Sequence, residues 1–162
     1  MHPFIRISQL LVRLGAIEGR KKLQKIVHIL QSTGAPFEEK FELSHFGAYS
    51  SELRGEVAKL AKDDLVQEEE PTGCAGSYIY RPTAALQALV KELSVSLDEP
   101  WLDLAEKLNL RSAQELEGIS TVLYLKRWGW SQEGLRQQFS ALKPHLVKDF
   151  DACRQEADSL VS

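Results

Sequence analysis

The sequence is poor in the residues that cross-link a protein or bind metals. Its 162 residues include two cysteines, Cys74 and Cys153, and four histidines. Two cysteines cannot build the disulfide framework of a small secreted domain, so we expect two free thiols in a reducing cytoplasm. The cysteines and histidines also lack the spacing of zinc ligands, and the sequence predicts no metal site and no cofactor.

Long apolar runs and catalytic motifs are scarce as well. No apolar run approaches the roughly 20 residues that cross a bilayer. The first residues do not have the pattern of an export signal. The chain has no Gly-x-Ser-x-Gly elbow, no glycine-rich phosphate loop and no His-Glu-x-x-His pair. We therefore expect a cytoplasmic protein that does not contact membranes, has no catalytic residues and is not an enzyme.

Charge is distributed unevenly, although the net charge is only −3. Residues 1–37 contain six basic groups and one acidic group, whereas residues 38–70 contain ten acidic and four basic groups. A DNA-binding domain usually offers a broad basic face, because neutralisation of phosphates supplies much of its affinity. The acidic stretch therefore favours a protein partner over a nucleic acid.

The order of elements predicted in residues 1–82 is that of a winged helix. Periodic apolar residues predict helices over residues 3–14 and 20–32, a strand over 37–44, a third helix capped by Ser50, and a hairpin of strands 65–69 and 77–81. We expect one N-terminal core that contains the apolar stripes of the second and third helices: Leu23, Val27, Leu30, Leu53, Val57 and Leu60.

The rest of the chain, residues 83–162, has only helical patterns. Capping signals predict helix starts at Asp98, Ser112, Ser131 and Pro144, and Trp128 and Trp130 are expected to pack within this part. The prediction is a mainly helical α+β protein with a winged-helix-like module, 1–82, and a helical extension, 83–162, packed on it. A single domain stays an alternative.

A basic cluster opens the second helix: Arg20, Lys21, Lys22 and Lys25. Lys21, Lys25 and His28 share one helix face, because they are spaced by four and then three residues. The helix dipole is positive at this end, so the helix itself does not favour cations there. These five residues are therefore candidate contacts to a partner, with a merely solvated helix face as the alternative.

The aromatic turn over residues 45–50 supplies further candidate contacts, His45 and Tyr49. On the helix after it, Arg54 and Lys59 could contact DNA, which makes a winged-helix transcriptional regulator the alternative function. The acidic run over 68–70 lies in the predicted wing and would repel phosphate. It is the strongest sequence argument against DNA binding.

Four segments resemble the YwgA family of bacterial proteins: 19–25, 41–53, 116–125 and 142–145. That family in turn resembles the SocA-like, or Panacea, antitoxin domains. Where the family pattern has Gly-Pro-Tyr-Ser at the turn, this chain has Ala48 in place of proline. The resemblance implies a compact, mostly helical cytoplasmic protein without established enzymatic activity, and the Panacea relatives imply binding to a protein toxin.

Together these observations predict a non-enzymatic binding or regulatory module, antitoxin-like or adaptor-like, with a protein as its partner. They do not identify that partner. They also leave the oligomeric state open, with a homodimer among the alternatives.

Overall fold

The computed structural model describes residues 2–44, 47–70 and 78–161. Within these residues it has eight α-helices, five short strands and one 3-10 helix, in this order: α1 Pro3–Leu14, β1 Ile17–Glu18, α2 Arg20–Ser32, β2 Glu42–Ser44, β3 Gly47–Tyr49, α3 Ser51–Lys62, β4 Val66–Glu69, β5 Ile79–Pro82, α4 Ala84–Glu92, α5 Pro100–Asn109, α6 Ala113–Lys126, α7 Gln132–Leu142, the 3-10 helix Pro144–Asp149, and α8 Phe150–Val161. The predicted class, mainly helical α+β, is confirmed. In this described part, no helix is both long and apolar enough to cross a membrane.

The strands form two small antiparallel sheets. In the first, β5 is the central strand and pairs with β1 on one side and β4 on the other. Val66 lies opposite Pro82, and Glu69 lies opposite Ile79, which confirms the predicted hairpin. The tip of the hairpin, residues 71–77, lies outside the described residues, and so does the expectation for Cys74. The winged-helix assignment stays a prediction.

The second sheet corrects the prediction for residues 37–50. Only Glu42–Ser44 of the expected strand is a strand, and it pairs with β3, within the segment that was expected to be a turn. The side-chain amide of Gln31 explains the difference, because it donates hydrogen bonds to the carbonyl oxygens of Phe37 and Glu39. These backbone groups are satisfied by a side chain instead of a neighbouring strand.

The core is centred on α2, which packs against α5, α6 and β3. Every residue from Leu23 to Leu30 is buried. The six residues predicted to form the N-terminal core all belong to one buried cluster: Leu23, Val27, Leu30, Leu53, Val57 and Leu60. The same cluster includes Leu116 and Phe139 from the helical extension. The boundary between two modules stays a prediction.

Serine and threonine side chains begin several helices. The hydroxyls of Ser50, Ser112 and Ser131 accept hydrogen bonds from the N–H groups of Leu53, Glu115 and Gly134, as predicted. Each such cap stabilises a helix by about 1 kcal/mol.

The predicted cap at Asp98 is wrong, because Glu99 is the residue that precedes α5. The Glu99 carboxylate does not cap the helix. It accepts hydrogen bonds from the Gln9 amide and the Trp101 indole, at 2.9 Å each, and so ties the start of α5 to α1.

The prediction that two tryptophans pack inside the helical extension is also wrong. Trp128 is 68% exposed and Trp130 is 46% exposed. Helix α6 ends at Lys126, and Gly129 takes a positive φ of 73°, which turns the chain before α7 begins. The Trp128 ring lies against that of Tyr124, a partly buried residue packed against the core.

Candidate functional site

Two cavities flank the start of α2. The first, here called the apolar cavity, has a volume of about 370 Å³ and lies between α2, α3 and the β4–β5 hairpin. The second, here called the polar cavity, has a volume of about 300 Å³ and lies between α2, α6 and the 3-10 helix. Lys21 and Lys25 line both cavities. The basic N-terminal part of α2 therefore separates the two cavities.

The apolar cavity brings together five of the residues predicted from the sequence: Arg20, Lys21, Lys25, Tyr49 and Arg54. The sequence analysis did not identify the floor of this cavity as part of a site. Four apolar residues line that floor: Leu23, Leu53, Val57 and Ala58. The first three had been identified only as core residues, because periodicity does not tell which core residues border a cavity.

Hydrogen bonds and an ion pair organise the rim of the apolar cavity. The Arg20 guanidinium pairs with Glu68 at 2.8 Å and lies over the Tyr78 ring. The hydrogen bond from Arg20 to Glu68 raises the pKa of Arg20 above its ordinary value. Arg54 donates to the Tyr49 hydroxyl at 3.4 Å. These contacts hold cationic groups beside an apolar floor.

Tyr80 also lines the apolar cavity and donates a hydrogen bond to Glu68 at 3.2 Å. Burial raises its pKa to about 12, and the Glu68 carboxylate acts in the same direction. The phenol therefore stays protonated at neutral pH and holds Glu68 in position. Glu68 was predicted as part of an acidic wing, and the structure pairs it with Arg20.

Lys25 does not face solvent, which corrects the prediction for the basic cluster. Lys25 is only 3% exposed, and its ammonium group donates a hydrogen bond to the Ala48 carbonyl oxygen at 2.7 Å. Burial lowers the pKa of Lys25 to about 8, and the nearby charge of Lys143 acts in the same direction. Helix α6 and strand β3 cover this part of α2, a tertiary contact that helical spacing cannot reveal.

His28 is likewise interior and not on an exposed helix face. Its Nδ1 lies 2.7 Å from the Ser120 hydroxyl, and its ring contacts those of Phe41 and Tyr124. Burial lowers the pKa of His28 to about 3, with the charges of Lys25 and Arg127 as further causes. The imidazole is therefore neutral near pH 7 and cannot reach a partner without a rearrangement of the core.

The remaining predicted residues lie in other places. Lys22 donates to the Asn109 carbonyl at 2.6 Å, beside α5. Lys59 is exposed on α3 and is not among the residues that line either cavity. His45 lies outside the described residues. The site therefore contains part of the predicted set, and the rest of that set is dispersed.

A buried charge cluster at the polar cavity was not predicted. Lys143 is 2% exposed, and its ammonium group lies 2.7 Å from Glu117. His145 approaches the other oxygen of the same carboxylate at 3.7 Å. Sequence patterns do not indicate this pairing, because Glu117 is on α6 and Lys143, which directly follows α7, lies 26 positions later.

The electrostatics of Glu117 follow from these neighbours. Burial by itself would raise the pKa of Glu117, but the hydrogen bond and charge of Lys143 hold it below its ordinary value. The charges of His145 and Lys25 act in the same direction as that of Lys143. Glu117 is therefore ionised at neutral pH, and one negative charge lies among several cationic groups.

The geometry does not suggest a metal centre. Among residues 2–44, 47–70 and 78–161, no three histidine, cysteine, aspartate or glutamate side chains are grouped so that they could hold a metal ion. Cys153 is a buried free thiol whose pKa is raised to about 11, chiefly by burial. Such a thiol is a poor nucleophile at neutral pH, because the reactive form is the thiolate.

Comparison with known proteins identifies one curated relative. Over 156 residues the chain is 35% identical to the uncharacterized protein YwgA of Bacillus subtilis (strain 168). The alignment covers 90% of this chain and 89% of that protein. No protein-family model matches the chain, and no solved structure matches it.

Proposed function

This chain belongs to the YwgA family, and we propose that it is a non-enzymatic binding module for a protein partner. In this proposal, an acidic segment of the partner inserts an apolar side chain into the apolar cavity. The observation that supports it is the composition of that cavity, which combines an apolar floor with a cationic rim.

The floor supplies the anchoring part of the interaction. Leu23 and Val57 are 3% and 4% exposed and Leu53 is 0% exposed, so the floor lies below the molecular surface. A side chain that fills such a recess is desolvated on all sides, and recessed anchors of this kind dominate the energetics of most interfaces. Ligand sites span about 300–1,000 Å³. At about 370 Å³ the apolar cavity is at the small end and suits one or two side chains.

The rim supplies specificity. Lys21 and Arg54 are exposed beside the floor, and charges at the edge of an interface act mainly on partner choice and association rate. A cationic rim favours aspartate or glutamate on either side of the inserted side chain. Tyr49 adds a residue type that is common in interface cores.

A DNA-binding regulator is the rival proposal, and several contacts weaken it. Arg20 is paired with Glu68, Lys22 with the Asn109 carbonyl, and Lys25 is buried. Each of these contacts would have to be exchanged for a phosphate contact. Exposed Arg54 and Lys59 remain candidates on α3.

The biological role follows from the partner. If the partner is a toxin, as the resemblance to SocA-like antitoxin domains implies, the module is a cytoplasmic antitoxin. If it is another regulatory protein, the module is an adaptor. A homodimer is compatible with either role.

Capture experiments from the native host test the proposal. The tagged wild-type protein and Arg54→Glu are compared with Lys91→Glu, which reverses an exposed lysine on α4 as a control. Lysates with and without nuclease treatment are each used at low and high salt. We expect a protein that wild type and Lys91→Glu capture and Arg54→Glu loses. Recovery of a defined DNA instead, with a steep loss of binding as salt increases, would favour the regulator.

A further inference from the structure

Among the described residues, the interior next to the polar cavity holds two buried lysines and one carboxylate. Lys25 and Lys143 are 3% and 2% exposed, and both lie near the single carboxylate of Glu117. That carboxylate forms its ion pair with Lys143. The hydrogen-bond acceptor of Lys25 is a neutral carbonyl, that of Ala48. Burying a charged amine without an opposite charge is strongly disfavoured, so the cluster can gain stability from an anion.

Gly47 shows how closely the cationic groups approach. A Cβ atom at this position would lie 3.1 Å from Lys25 Nζ, 3.6 Å from Lys143 Nζ and 3.5 Å from Thr121 Oγ1. The two ammonium groups and the hydroxyl therefore converge on the same side of β3. The charge of Lys143 disfavours the charged form of Lys25, and an oxyanion near the two ammonium groups would offset that repulsion.

The polar cavity gives an anion access to Lys25 of this cluster, whereas Lys143 and Thr121 are not among the residues that line it. Lys25 lines its inner part, and exposed Lys21 and half-exposed His145 line its mouth. Ala113 and Gln114 also line it. They are the first residues of α6, whose N–H groups have no acceptor within the helix. Glu117 is the one anionic group in the lining, and its oxygens face Lys143 and His145.

From this arrangement we infer that the polar cavity is a binding site for a small oxyanion, a carboxylate or phosphate group, held by Lys25 and Lys21. His145 and the amide of Gln114 complete the set of donors. This site is separate from the partner-binding proposal, since its ligand enters the polar cavity and not the apolar one. Its test requires only the isolated protein, so the two proposals can fail independently.

The direct test is a titration of the isolated protein with inorganic phosphate and, in a second arm, with acetate. Sodium chloride at matched ionic strength is the reference, and the backbone amide shifts of Gln114 and Thr121 are followed by NMR. We expect saturable shifts with phosphate, acetate or both. Saturation with only one anion identifies which oxyanion the site prefers. Shifts that follow ionic strength alone would overturn the inference.

Variants then locate the binding. Lys25→Met should weaken anion binding by about tenfold or more, the effect of losing a hydrogen bond to a charged group. Lys22→Met is the matched control, because Lys22 contacts the Asn109 carbonyl and lines neither cavity. Should Lys25→Met fail to fold, Lys21→Met changes an exposed residue and should still weaken binding severalfold. Equal affinity in wild type and Lys21→Met would then overturn the inference.

Discussion

The ammonium group of Lys25 donates a hydrogen bond to the carbonyl oxygen of Ala48 at 2.7 Å, in the interior of the protein. This contact joins the basic helix α2 to the short strand β3. It also places a charged group between two cavities. The chemistry of the site depends on this placement, and so does part of the pH dependence of stability.

Lys25 should contribute stability that increases as pH rises from about 8 to 10.5. Its pKa is about 8 in the folded state, against an ordinary value of 10.5. Between these values the unfolded chain binds more protons, so raising the pH favours folding. We expect Lys25→Met to lose a contribution of about 1–3 kcal/mol over this range. Urea unfolding of both proteins at pH 7.5 and 10 measures it, and parallel pH profiles would contradict the burial of Lys25.

Acid should destabilise the protein in part through His28. The pKa of His28 is about 3 in the folded state and 6.5 ordinarily. Its neutral form is therefore favoured by folding, and that contribution is complete above pH 6.5 and is lost as pH falls toward 3. Wild type should lose about 2 kcal/mol more than His28→Gln between pH 7 and 5. Equal losses in wild type and His28→Gln would show that His28 is not buried as a neutral group.

Leu53 should be important for the stability of the core. It is fully buried on α3 and borders the apolar cavity. Leu53→Ala should cost on the order of 2–5 kcal/mol. Leu110→Ala, at a position that is 89% exposed, should change the unfolding free energy by less than about 0.5 kcal/mol. Denaturant midpoints measure both, and similar midpoints for the two variants would contradict this core.

Replacement by alanine should change the stability of the protein in opposite directions at two glycines, Gly47 and Gly55. Gly47 has a φ of +94° and faces the Lys25 ammonium group, so Gly47→Ala should destabilise by about 1–3 kcal/mol. Gly55 lies within α3, and a Cβ there would have no neighbour within 4 Å. Gly55→Ala should stabilise by up to about 1 kcal/mol, because alanine is the better helix former. Thermal unfolding of the pair checks both signs, and a stabilised Gly47→Ala would contradict the geometry of β3.

Local features of the chain could be predicted from the sequence. The apolar stripe of Leu23, Val27 and Leu30 and the cap at Ser50 depend on residues within a few positions of each other. Periodicity and capping chemistry therefore identify them. The β4–β5 hairpin was recognisable for the same reason. The length of strand β2 was overestimated. The side-chain amide of Gln31 on α2 donates hydrogen bonds to the backbone carbonyls of Phe37 and Glu39, which precede β2.

The candidate site depends on contacts between distant segments, and these could not be predicted. Lys25 seemed to lie on an exposed face because the covering helix, α6, begins 88 residues later in the chain. Lys143 was identified only as part of a helix start, and its partner Glu117 is on α6, 26 positions earlier. For this reason a charge reversal of Lys25 is a poor test of an interface, since it would place a buried carboxylate beside the core.

The partner-binding proposal is tested most directly by a substitution that fills the apolar cavity. Ala58 is an exposed residue of α3 that lines this cavity, and Ala85 is an exposed residue of α4 that does not. Affinity for the captured partner is measured for wild type, Ala58→Trp and Ala85→Trp, with circular dichroism to verify folding. The account predicts that Ala58→Trp binds at least about tenfold more weakly, the loss of one anchoring side chain, while Ala85→Trp binds like wild type. Full affinity in a folded Ala58→Trp protein would contradict it.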